Sequence, residues 1–188
     1  YNLREGTVSA IIAGAVAVTR IATNTAVDSV VLLTRENTYT GATTITSGIL
    51  KIGAAGNGTN TPLGTSASGV TIASGGALDL NGYTLSTAEA VTSLAGTGFG
   101  PSGSSNMGAI MNSSATPVSY AGNLTLTAAA RINADAGDIT ISGNASGNFA
   151  LTFGGFSNLE YSGVRSGTST IVKDGIGVLT LSNGNSSY

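Results

Sequence analysis

The sequence predicts an all-β chain wound as a parallel β-helix, a solenoid of about 20 residues per coil and roughly nine coils. Three observations carry this. Short strand-like frames recur at a nearly constant spacing along the chain. The composition suits many short strands and many turns: 28 glycines, 3 prolines and only 9% charged residues, against roughly 25% charged in ordinary globular domains. Helical periodicity is almost absent.

The clearest frame lies in the C-terminal third. It reads ITISG from Ile139 to Gly143, LEYSG from Leu159 to Gly163, and LTLSN from Leu179 to Asn183. Each is apolar, polar, apolar and then a turn residue, the pattern of a strand with one buried face. Stacked coils would set Ile139, Leu159 and Leu179 in one interior ladder, with Ile141, Tyr161 and Leu181 beside it. Thr140, Glu160 and Thr180 would form an outward column. A second series between these frames pairs Leu151 with Ile171 and Phe153 with Lys173. The bends at Ser-Gly, Asn-Gly and Gly-Gly suit residues that tolerate positive φ.

Earlier elements follow in order. Ser9–Val18, SAIIAGAVAV, reads as two short strands around Ala13-Gly14. It is too short to cross a membrane and no positively charged stretch precedes it. In ENTYTGATTITSGILKIG, Asn37 to Gly41 enters a coil, and Ile45 faces inward from one strand. Ser47-Gly48 makes a corner, Leu50 and Ile52 face inward from the next strand, and Lys51 points to solvent. Ile52 and Ile72 keep the spacing of the repeat, and LDLNG, Leu78 to Gly82, repeats the frame of ILKIG. Ser86–Gly96 fits either a capped helical turn or a further strand with Val91 and Leu94 near the core. Residues 95–123 break the period. They form a Gly/Ser-rich insertion or loop in an otherwise single β-helical segment, 1–188, of a longer protein. Insertions in solenoids often carry function. Phe99, Met107, Met111 and Tyr120 are therefore the candidate contacts for a ligand there; the competing reading turns them inward.

Composition excludes several function classes. With no cysteine and no histidine, the chain cannot build a disulfide, a thiolate metal site or a Ser-His-Asp triad of its own. Seven scattered Lys and Arg residues, a net charge of −2 and the absence of a basic or amphipathic stretch argue against nucleic acid and against a membrane surface. Asp79, Asp135 and Asp138 are the nearest approach to paired carboxylates. Asp138 sits at a turn, however, and Asp79 lies at an outward position between Leu78 and Leu80. The calcium-solenoid nonapeptide is absent, and DAGD lacks the spacing of an EF-hand loop. Thr-x-Thr pairs such as Thr44 and Thr46 are too irregular for an ice-binding grid. The five N-x-[ST] sites, Asn57, Asn112, Asn123, Asn144 and Asn185, follow from composition. No catalytic, cofactor or metal residue is assigned.

NTYTGATTITSGILKIG, followed by PLG and VTIASGGALDLNG, resembles the autotransporter-associated β-strand repeat, also called the passenger-associated transport repeat. The match falls on Asn37 to Gly41, Leu63-Gly64, Gly75-Gly76 and Leu78 to Gly82. The C-terminal YSGVRSGTSTIVKDGIGVLTLSNGNSSY is similar to the segment that precedes such a repeat, at Gly163, Gly167, Lys173, Gly175, Gly177 and Leu179 to Leu181. GTVSAIIAG resembles a related segment. Tyr188 aligns with Tyr39, near where another repeat would begin. The resemblance implies a right-handed parallel β-helix from the exported passenger of a Gram-negative autotransporter, secreted or held at the cell surface. Its membrane anchor would be a C-terminal barrel absent from this chain. The expected role is a structural, non-enzymatic stalk or adhesin segment. Expected partners are neighbouring repeats or further copies stacked end to end, and a surface glycan or protein receptor. The alternatives are the subunit of an extracellular filament or sheath, and a carbohydrate-binding or carbohydrate-cleaving β-helix.

Overall fold

The computed structural model describes residues 1–23, 29–100, 107–168 and 170–183. Asn185, Tyr188 and residues 101–106 of the insertion lie outside them. Among the described residues every regular element is a strand. The strands stack in parallel into a β-solenoid of about eight turns. Parallel crossover connections take the right-handed sense in nearly all proteins, the sense that the repeat resemblance implies.

Two faces run the length of the solenoid. The first stacks Asn2–Leu3, Val18–Arg20, Thr43–Ile45, Val70–Ile72, Val91–Gly96 and residues 124–126. The second stacks Gly6–Val8, Val30–Leu33, Gly48–Ile52, Gly76–Asp79, Ile110–Asn112, residues 130–134, Leu151–Gly155 and Ile171–Lys173. The long strand Leu124–Ala134 turns the corner and serves both. A third face is regular only in the C-terminal half, where Val118–Tyr120, Ile139–Ile141, Leu159–Tyr161 and Leu179–Leu181 stack. In the N-terminal half that side holds Ala13–Gly14 against Thr38–Tyr39. It also holds the antiparallel pair Asn60–Thr61 and Gly64–Thr65.

Strand alternation puts one aliphatic residue of each strand on the axis side, and stacking turns these into columns. Val31, Leu50, Leu78, Ile110, Ile132 and Phe153 form one such column, each paired with the next. Ile45, Ile72, Leu94 and Leu126 form another. All are buried. The frames at 139, 159 and 179 pair as their spacing predicts, and so do Leu151 with Ile171 and Phe153 with Lys173.

The 20-residue step is regular only in the last coils. There, side chain to backbone bonds between coils span 20 to 22 residues; in the N-terminal half such spans vary from 22, between Val70 and Thr92, to 30, between Gly82 and Asn112. Longer corners leave eight coils where a constant step predicts about nine. They also separate Ile52 from Ile72: Ile52 pairs with Leu33 on the second face, and Ile72 with Ile45 on the first. Ala13-Gly14 is itself a strand rather than the bend between two. Ser86–Gly96 is no helix; Val91–Gly96 is a strand with Val91 and Leu94 in the core.

Asparagines lock the corners. Asp138 Oδ1 accepts the Asn158 N–H of the next coil at 2.8 Å, and Asn158 Oδ1 accepts that of Val178 at 3.0 Å. Asn123 and Asn144 repeat this upward, to the N–H groups of Asn144 and Val164. Two of the N-x-[ST] asparagines thus satisfy backbone donors that a loose corner would leave to water.

Candidate functional site: an outer cleft across three coils

The insertion is woven into the second face. Its middle part, Ile110–Asn112, continues that face, with Ile110 in the axial column. Phe99 and Met111 are buried on the outer side of the same sheet, against Ile49 and Ala77, and Met107 is partly buried there. Tyr120 lies in the main core and donates its hydroxyl to the Glu89 carbonyl at 2.6 Å. Three of the four residues expected as ligand contacts are therefore buried, and Met107 is buried in part. The structure places them as packing side chains, because outward apolar positions of the sheet need a cover.

The same cover explains Asp79. It takes the outward position its frame predicts, yet it is 1% exposed. Its carboxylate meets Lys51 Nζ at 3.1 Å. It also accepts from the Asn81 N–H, the Ser113 N–H and the Ser113 hydroxyl. Lys51 is partly covered too, and shares Ser113. Asp138 is turned to the opposite corner, where it binds backbone. Asp138 is exposed beside a smaller hollow with Thr140, Asn158 and Glu160, whereas Asp135 borders a larger space.

That space is a cleft of about 310 Å³ lined by Arg131, Asn133, Asp135, Phe156 and Asp174. Residues 131 and 133 are outward positions of one strand, with the buried Ile132 between them. Phe156 follows the next coil's strand and Asp174 the strand after that. Arg131 Nη1 donates to Asp174 Oδ2 at 2.6 Å, reaching across the intervening coil. A Cβ on Gly154 would fall closer than 3.0 Å to both partners, so the glycine leaves the path open. Arg131 Nε donates to Asn133 Oδ1 at 3.1 Å, and Asn133 Nδ2 donates to Asp135 Oδ1.

Burial pushes the Asp135 carboxyl up to about 6, against the Asn133 hydrogen bond. The Asp79 charge adds to the rise and Arg131 opposes it. Asp174 goes the other way: its hydrogen bond from Arg131 holds it below the usual carboxylate range. A carboxyl raised on folding binds its proton more tightly in the folded state. Its contribution is fully present below the unfolded value and is lost as the pH rises through about 6. Asp135→Asn keeps an oxygen acceptor and removes the charge. It should raise stability at pH 8, on the order of 1 kcal/mol after allowance for the solvent that reaches the cleft. It should leave stability nearly unchanged at pH 3. Urea midpoints at the two pH values test this; an equal shift at both would rule out the buried charge as the cause.

Among the described residues no three acidic side chains come together in a metal-holding group. The threonines do align: Thr19, Thr44 and Thr71 stack outward on the first face, followed by Ser93. They stand in single file, not in a two-dimensional grid. Arg131, Asp174 and Phe156 escape a reading of the sequence by motif, because they come from three different coils. The available signal is the register itself, since a step of about 20 residues from 133–135 lands on Gly154-Gly155 and then on Asp174-Gly175.

No family model matches the chain, and neither a curated protein nor a solved structure does. What the fold defines is a β-solenoid built of repeats, compatible with a β-helical passenger.

Proposed function

We propose that this chain is a structural, non-enzymatic segment of an exported bacterial surface protein, a stalk or adhesin piece of the autotransporter passenger kind. One observation carries the reading: residues that bear the repeat resemblance are used to join coils. Asn37 is buried; its Oδ1 accepts the Ile12 N–H at 2.8 Å and its Nδ2 donates to the Pro62 carbonyl at 2.7 Å. The Tyr39 hydroxyl meets that of Thr43 at 2.5 Å, and Thr43 donates to the Leu63 carbonyl. Gly41 lies where a Cβ would strike the Val16 backbone, and Gly64 where it would strike Tyr39. Leu78 and Leu80 are in the core. A motif spent on stacking is what a mechanical repeat requires.

Self-association has its own support. The last described coil leaves Ile176, Val178 and Leu181 exposed. A further coil, or the first coil of another copy, would cover such a surface. The experiment is surface display. Joined to an outer-membrane β-barrel translocator in a Gram-negative host, the chain should reach the cell exterior and be cut by protease added to intact cells. Retention inside the cell, with the barrel correctly inserted, would overturn the export reading.

A further inference from the structure

The outer cleft lies outside the axial core, and its chemistry is specific. Asp174, Arg131, Asn133 and Asp135 form a chain of planar polar groups in which each fixes the next. The chain offers donors and acceptors side by side, and its side chains are held before any ligand arrives. Beside it Phe156 stands 69% exposed, an aromatic ring that contributes little to the core. Two carboxylates against one guanidinium disfavour an anion. The absence of a metal-holding group among the described residues disfavours a divalent cation. The volume, about 310 Å³, is at the small end of ligand pockets, which run to roughly 1,000 Å³.

The geometry points to a saccharide subsite in this cleft, for a neutral sugar ring whose hydroxyls meet the Arg131–Asn133–Asp135–Asp174 chain and whose apolar C–H face lies on Phe156. A neutral polyol is the ligand that uses both halves of the site: fixed planar donors and acceptors, and an exposed aromatic face. Binding at one shallow subsite is weak, with a dissociation constant on the order of 1 mM, and useful to a surface protein that repeats the contact. This deepens the adhesin reading and rests on it for its biological sense.

The probe is a printed array of neutral and acidic oligosaccharides, followed by titration with the best neutral binder. Neutral glycans should bind and fully acidic ones should not. Phe156→Ala should weaken binding at least about twofold, the lower end for one aromatic contact, with no change in melting temperature. Asp174→Asn should weaken it as well. Phe149→Ala, at another corner and also exposed, should leave it unchanged. No binding to any neutral glycan at millimolar concentration would overturn the site. So would binding that Phe156→Ala leaves intact, or a preference for acidic glycans. None of these results touches surface display, so failure of the subsite is distinguishable from failure of the export reading.

Discussion

Replacing Gly143 by alanine is expected to destabilise the solenoid by about 3 kcal/mol or more, the upper range for inserting a group into a filled space. Gly122, Gly143 and Gly163 occupy equivalent corners of three successive coils. A Cβ on Gly143 would come closer than 3.0 Å to the Gly122 carbonyl, and one on Gly163 would do the same to the Gly143 carbonyl. At Gly122 the obstacle is the Glu89 carbonyl, with the Tyr120 ring beside it. Gly143 is the clearest of the three, because the nearest atoms its methyl would meet are all backbone. No side chain can swing away, so the coils must part. Parting them strains the bond from the Ser142 N–H to the Tyr120 carbonyl at 3.0 Å. It also strains the bond from the Asn144 N–H to Asn123 Oδ1. Urea unfolding of the alanine variant measures the loss. A change below about 1 kcal/mol would mean that the corner yields and that the glycine column is incidental.

That corner also shows what the sequence discloses and what it conceals. The position of the Ser-Gly bends is legible, because they end the apolar-polar-apolar frames. Their physical reason differs from the one that frames alone imply. Positive φ is indeed used at Gly48, Gly75, and Asn81 with Gly82, but not at Gly143 or Gly163, where closeness of the neighbouring coil is the constraint. Closeness between coils is invisible until the register is known. The same holds for Asp79, which alternation correctly turns outward. Its burial comes with partners on the coils to either side, Lys51 and Ser113, which alternation does not reveal. The insertion was unreadable because Phe99, Met107 and Met111 pack on the outside of the sheet, where no period-2 pattern applies. Asp135 could be singled out by residue type, while its partners Arg131 and Asp174 needed the stacking to bring them together. Least legible of all are two arginines at interior positions. Arg20 pairs with Ile45 at the head of an aliphatic column and is fully buried. Its guanidinium reaches the Ile49 and Ser29 carbonyls. Burial pushes its pKa down, and Glu5 opposes this. A charged residue in a strand is ordinarily an outward one, so the pattern assigns both arginines to the wrong side.

The second arginine yields the other large effect: Arg165→Ala is expected to lose about 3 kcal/mol, the scale of removing one partner from a buried charged network. Arg165 is fully buried, stacked on Ala145 in the line that continues from Leu124. Ala145 is too small to fill that site, and the arginine's aliphatic stem occupies the space that a larger neighbour leaves. Its guanidinium donates to the Gly147 carbonyl at 2.7 Å, the Phe149 carbonyl at 3.0 Å and the Ala145 carbonyl at 3.3 Å, and also to Ser166. Gly147 and Phe149 lie at the corner where the chain leaves the first face for the second, while the Ala145 carbonyl also accepts the Ser166 N–H at 2.9 Å. One planar fork with several donors satisfies that corner; alanine would strand the carbonyls and open a cavity at once. Lysine separates the two effects. It restores most of the stem but offers a compact ammonium that cannot reach the carbonyls as a fork, so Arg165→Lys should recover less than half of the loss. Urea midpoints of the two variants give the comparison. Full recovery by lysine would show that the site needs only filling and a charge, and that the fork geometry is not what holds the corner.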